Sequence, residues 1–224
     1  ISSWSWNFGD GSAPSTTQNP AHVFNREGNF TVTLTVSGAS GSSSSKSRGI
    51  SAVANYQIQV GTFNWIDPSG MTQLPLSNDG VSGPQTLPFT FSFYGQGYSQ
   101  IYVGANGLLG FVNQGLGTAA NTDLPNAAAP NAVICPYWDD LDPSGSGSVR
   151  IGTVGTSPNR QVVVSWVSVP HRSKPPISLT FQAVLMEGSN QILFQYQSVS
   201  ASKSLGAGRS ATVGLENESG SVAA

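Results

Sequence analysis

Asp139, Asp140 and Asp142 form the densest acidic cluster in the chain, directly after Trp138 and before Pro143-Ser144-Gly145. Carboxylates so close together can ligate calcium through oxygen, or act as the acid and base of glycoside cleavage. A hard cation wants six or more oxygens, and the cluster brings three carboxylates. The leading reading is therefore a strand end followed by a turn in which Asp accepts backbone N–H bonds. Calcium at Asp139, Asp140 and Asp142 is the one cofactor to be expected, as the alternative. Asp10, between two glycines, reads as another turn carboxylate. Nucleophilic catalysis is harder to build. The two histidines, His22 and His171, lie far apart in sequence, and no Gly-x-Ser-x-Gly elbow occurs. The single cysteine, Cys135, falls in the apolar run Ala132-Val133-Ile134-Cys135-Pro136 and reads as a buried, inert thiol. Ligand poverty excludes zinc. Gly206-Ala207-Gly208-Arg209-Ser210-Ala211 fits a loosened dinucleotide fingerprint, but outside a βαβ unit it is a chance match. No catalytic constellation is visible.

Aromatic residues offer a second chemistry, because sugar rings stack on flat faces. Trp65, Tyr94, Tyr98, Tyr102 and Trp138 flank turns. Trp65, Tyr94, Tyr98 and Trp138 are the candidate glycan-binding residues. Against this, alternation places most aromatics on the same faces as Val, Ile and Leu, which reads as core.

The elements that must position these groups are all strands. Phe30-Thr31-Val32-Thr33-Leu34-Thr35-Val36 puts apolar residues on one face and threonines on the other. Tyr56, Ile58 and Val60 repeat the pattern, as do Leu87, Phe89, Phe91 and Phe93. Val162, Val164 and Trp166 share a face, and so do Ile177, Leu179, Phe181, Ala183 and Leu185. Ile192, Phe194 and Tyr196 return across the hairpin loop Glu187-Gly188-Ser189-Asn190, and Val213 and Leu215 complete the set. No amphipathic helix competes. Ser37–Ser47, rich in Ser and Gly, reads as a long hairpin loop with Ile50, Ala52 and Ala54 on the return strand. Asn113–Pro130 reads as a long loop of the kind that is functional or mobile. The domain boundary is expected at Ala54-Asn55, giving domains 1–54 and 55–224.

Composition limits the partners. Of 224 residues only 9% are charged, against about 25% in typical domains. Nine Lys and Arg against eleven Asp and Glu give a net charge of −2. This excludes a basic nucleic-acid-binding face and a polybasic membrane surface. No apolar run is long enough for a membrane span, and the sequence opens on neither Met nor a basic-then-apolar segment. Low charge with 26 Gly, 14 Pro and abundant Ser and Thr is the composition of a secreted or surface β protein.

Two resemblances follow from longer motifs. Trp6-Asn7-Phe8-Gly9-Asp10-Gly11-Ser12, Asn19-Pro20-Ala21-His22-Val23-Phe24 and Gly28–Val36 resemble the PKD domain, with Asn7, Phe24 and Phe30 as mild departures. This implies an immunoglobulin-like sandwich serving as a spacer or adhesive module. The chain enters that pattern at a mid-domain strand, Ile1-Ser2-Ser3-Trp4. Its opening strands are expected from upstream residues or from a neighbouring copy, and without them the region before Ala54 should be associated or locally unfolded. From Tyr56 onward, Phe91-Ser92-Phe93-Tyr94-Gly95, Ile101–Phe111, Ile134–Asp142, Thr180–Leu185 and Ile192–Tyr196 resemble the nidogen-type extracellular domain. That implies a β-rich, non-catalytic extracellular module. The expected fold class is all-β: a partial immunoglobulin-like (PKD) β-sandwich plus a second, larger antiparallel β-sandwich. The expected function is a non-catalytic structural or adhesive segment of a secreted or cell-surface protein. Its partners would be an extracellular protein or polysaccharide, or neighbouring copies of the chain, without nucleic acid or membrane insertion. The alternatives are a glycan-binding accessory region of a secreted hydrolase and a fibre subunit assembled into filaments by strand donation.

Overall fold

The computed structural model describes residues 1–24, 28–52, 56–172, 177–199 and 210–224. Thirteen strands and no helix occur among them. The chain divides into two compact units, broadly residues 1–54 and 55–224. The expected boundary at Ala54-Asn55 lies outside the described residues, as do loop residues 173–176 and most of the glycine motif at 206–211.

The first unit is one antiparallel sheet of β1 (Ser3–Asn7), β2 (Gly28–Ser37) and β3 (Ser43–Ala52), with β2 central. Alternation on β2 works as the sequence requires: Trp4 pairs with Val36, Trp6 with Leu34 and Phe30 with Ile50. On the opposite face, hydroxyl pairs Thr33–Ser47 and Thr35–Ser45 meet at 2.8 and 2.7 Å. These hydroxyl pairs revise the expected hairpin loop: the turn is confined to 38–42, and Ser43–Ser47 belong to β3. Cross-strand serine–threonine bonds compensate for serine's poor strand preference. Gly9 closes the turn after β1 at φ +77°, where a Cβ would stand 2.6 Å from the Thr31 carbonyl oxygen. Trp6, Phe8, His22, Phe24, Val32 and Leu34 line an open groove of about 620 Å³ on this unit.

The second unit has two five-stranded sheets. One has the order β12 (Ile192–Ser198), β11 (Ser178–Met186), β10 (Gln161–Pro170), β9 (Ser148–Val154), β4 (Thr72–Leu74). The other runs β13 (Thr212–Glu216), β8 (Val133–Trp138), β7 (Leu108–Gly110), β6 (Gln96–Gly104), β5 (Gln85–Phe93). Pro88 falls on β5, an edge strand, the position in a sheet to which proline is normally confined. The sheets meet through Tyr137 against Phe181 (ring centroids 5.4 Å) and through the Trp166 indole N–H, which donates to the Gly104 carbonyl at 3.1 Å. Each large apolar side chain buried this way contributes roughly 1.5–3 kcal/mol.

Two expectations change. Residues 56–63 form no strand, and Ile58 and Val60 project into solvent. Alternation establishes that a segment suits a strand; a neighbouring edge must still pair with it, and among the described residues none does. Asn113–Pro130 is irregular, as expected, yet it is anchored. Leu116 is buried in a cluster with Leu108, Val133, Cys135 and Trp138, and Leu124 packs against it.

Candidate functional site

The acidic turn leaves β8 at its C-terminal end, and the carboxylates of Asp139 and Asp142 find different partners, while Asp140 Oδ1 is buried without a hydrogen bond among the described residues. Asp139 is buried: Oδ2 accepts the Ser210 hydroxyl at 2.6 Å and lies 3.1 Å from His171 Nε2, while Oδ1 accepts the Asp140 N–H at 2.9 Å. Asp142 Oδ1 accepts the Ser144 backbone N–H at 2.9 Å and its hydroxyl at 2.5 Å. The Ser144 hydroxyl, then its N–H, hold this carboxyl below the ordinary Asp range. The turn docks on the end of β10 through Asp142 N–H to Pro170 O and Arg172 N–H to Asp140 O, both 2.9 Å. Beneath it, buried Asn106 accepts the Leu141 N–H at 3.0 Å and donates to Asp79 Oδ1 at 2.9 Å. Ser, His and Asp thus meet, but a nucleophilic relay needs serine on histidine with the carboxylate behind it. Here the serine donates directly to the carboxylate, so Asp139 is a hub that ties three chain segments together. Among the described residues, no group of three or more His, Cys, Asp or Glu is disposed to hold a metal ion.

The four aromatic candidates do not form a platform. Trp138 is 1% exposed, and its indole N–H donates to the Thr118 carbonyl at 2.9 Å. Tyr94 is also buried. The reason for Trp138 is topological, since β8 lies inside its sheet and all six of its residues are covered. Tyr98 stacks on Phe111 with centroids 4.4 Å apart. Trp65 borders a cleft of about 380 Å³, shared with Asp67, Ser69, Ser148, Arg150 and Gln197. It sits on a strap, residues 64–71, laid over one face of the β12–β4 sheet. A row of paired residues (Gln195, Gln182, Ser165, Arg150, Gln73) crosses that face. Gln195 Oε1 accepts the Asn64 N–H at 2.7 Å, and Gln182 Nε2 donates to Ile66 O at 3.1 Å. Arg150 Nη1 donates to Ser69 O and Met71 O at 3.3 and 3.2 Å.

Comparison with known families decides membership. A protein-family model described as NIDO related matches residues 55–224. The chain belongs to the NIDO-related family. A second model, described as PKD domain, matches residues 1–52. No solved structure matches the chain. In the NIDO-related unit, the motifs that carried the nidogen-type resemblance now have places. Ile101–Phe111 is the β6–β7 hairpin with Asn106-Gly107 at its turn, and Ile134–Asp142 is β8 with the acidic hub. Sequence reasoning missed Asn106, Ser210 and the Gln182–Gln195–Arg150 row. The signal available for the row was Gln182, a glutamine inside a strand otherwise built largely from core residues. A polar side chain there must find a partner, since burying it unpaired costs roughly 1–3 kcal/mol.

Proposed function

We propose that this chain is a non-catalytic structural and adhesive segment of a secreted or cell-surface modular protein. A PKD-type and a NIDO-related module in tandem support an extracellular, modular setting. One observation carries the non-catalytic part. Among the described residues, Asp139 is engaged as an internal strut by Ser210 and His171, and Gln182 and Gln195 by the strap backbone. Incubation with chromogenic ester, peptide and glycoside substrates should release no product beyond a heat-denatured control. Turnover lost on Asp139→Asn, in a variant that still folds, would refute this reading.

A second reading, glycan binding, is favoured by the cleft beside Trp65. Asp67, Arg150 and Gln197 supply planar polar groups next to an indole, the combination that holds a sugar ring and its hydroxyls. Affinity electrophoresis through gels containing soluble polysaccharides separates the two. Weak or no retardation fits the structural reading. Clear retardation that Trp65→Ala abolishes at unchanged melting temperature would put glycan binding first.

A further inference from the structure

Among the described residues, the large apolar side chains left exposed in the second unit gather in one place. Ile58, Val60, Phe63 and Val213 are 85%, 104%, 56% and 53% exposed. All four line a single cleft of about 460 Å³. Single exposed apolar residues need no explanation, whereas a contiguous group marks an interaction surface. One wall of the cleft is the segment 56–63; the other includes Ile192, Leu193 and Phe194 of β12 and Leu215 of β13.

Two features specify what fits it. Among the described residues β12 is the edge strand of its sheet, and one side of its backbone pairs with no strand. Exposed edges are normally blunted by lysine, proline or inward charges. Ile192-Leu193-Phe194-Gln195-Tyr196-Gln197-Ser198 carries none of these. The second feature is that the chain itself holds the matching occupant. Gln57-Ile58-Gln59-Val60 alternates as a strand should, and among the described residues no backbone–backbone hydrogen bond joins 57–63 to any strand. None of the side chains lining the cleft is charged. Two copies with a net charge of −2 each can therefore meet here without bringing like charges together or desolvating an ion.

We propose that this cleft is a homotypic interface. Residues 57–60 of one copy add as a strand to the open edge of β12 in a second copy of this chain, seating Ile58 and Val60 in its cleft. A two-fold axis makes the exchange reciprocal, so the interface closes on itself as a dimer. Added backbone bonds satisfy the edge, and the two apolar side chains set the register.

Sedimentation velocity of the full 224-residue chain, over loading concentrations from about 1 to about 100 µM, tests this. The expected result is a concentration-dependent shift from monomer to dimer. The double variant Ile58→Lys, Val60→Lys should weaken association by at least about tenfold and leave the melting temperature of the dilute monomer unchanged, because both side chains project into solvent there. A second measurement is independent of the variants: amide exchange at 57–60 should slow as the chain is concentrated. A monomer across the whole range, association that survives the lysine pair, or exchange at 57–60 that ignores concentration each overturns the proposal.

Discussion

Arg160 and Glu187 show how one ion pair can leave a readable mark. Arg160 donates through its backbone N–H and Nε to Glu187 Oε2, at 2.9 and 2.8 Å, clamping the start of β10 to the turn after β11. The Arg160 side-chain hydrogen bonds pull the Glu187 carboxyl down to about 2. A carboxyl depressed on folding stabilises the fold above its unfolded value, about 4.3, and loses that contribution as pH falls through the folded value. Wild type should therefore melt above Glu187→Gln at pH 6, and the gap should close between about pH 5 and about pH 2. A gap that persists at pH 2 would show that packing, not charge, sets it. The acidic turn makes a second residue-scale prediction. With Asp139 turned inward and Asp142 engaged by Ser144, added calcium should leave the melting temperature unchanged. An ion that binds only the folded form would raise it by linkage. A large calcium-dependent rise abolished by Asp140→Ala would place a cation there after all.

At the scale of elements, the β6–β7 hairpin of the NIDO-related unit is tightly held at its turn. Its Asn106-Gly107 turn is pressed against β8, and Asn106 satisfies the turn that follows β8. Gly107 has φ +78°, and a Cβ there would collide with the Tyr137 carbonyl oxygen. Gly107→Ala combines a left-handed backbone with a clash against a buried strand, so chemical denaturation should show a loss of more than about 2 kcal/mol. Gly145→Ala is the control, because its added Cβ would meet nothing within 4 Å. A similar small effect at both positions would mean that the hairpin can move away from β8.

For the whole molecule, the contrast is between two units of unequal burial. Among the described residues, Phe8 and Phe30 are the buried large apolar side chains of the first unit, while the second buries both faces of β10 and β11. A three-stranded sheet with one apolar face lining an open groove has little to resist local opening. Amides of Phe30–Val36 should exchange at least about a hundredfold faster than those of Val162–Trp166 in a dilute monomer. A strand seated on that groove, from the same polypeptide or from a neighbouring copy, would slow them. Equal protection of the two strands in the dilute monomer would refute the idea that this sheet needs a cover.

Alternation and turn chemistry alone determined that this is an all-β chain, where most strands run, and which residues face inward on β2, β5, β10 and β11. Those properties are local: a side-chain period of two and a glycine at positive φ are set by a few consecutive residues. The Trp6–Phe24 and Ile134–Asp142 motifs likewise carried both families. The pairing of each strand was decided by tertiary structure. Ile58 and Val60 have the pattern of β2 and, among the described residues, no partner edge, whereas Ser43–Ser47 have a loop's composition and a threonine-bearing partner. Trp65 and Trp138 are the same residue type beside turns, and only the position of β8 inside its sheet puts one in the core and leaves the other at a cleft. The Asp139–His171–Ser210 hub joins segments distant in sequence. Its partners come together only when two sheets and the connections between them close, a long-range event that no local pattern encodes.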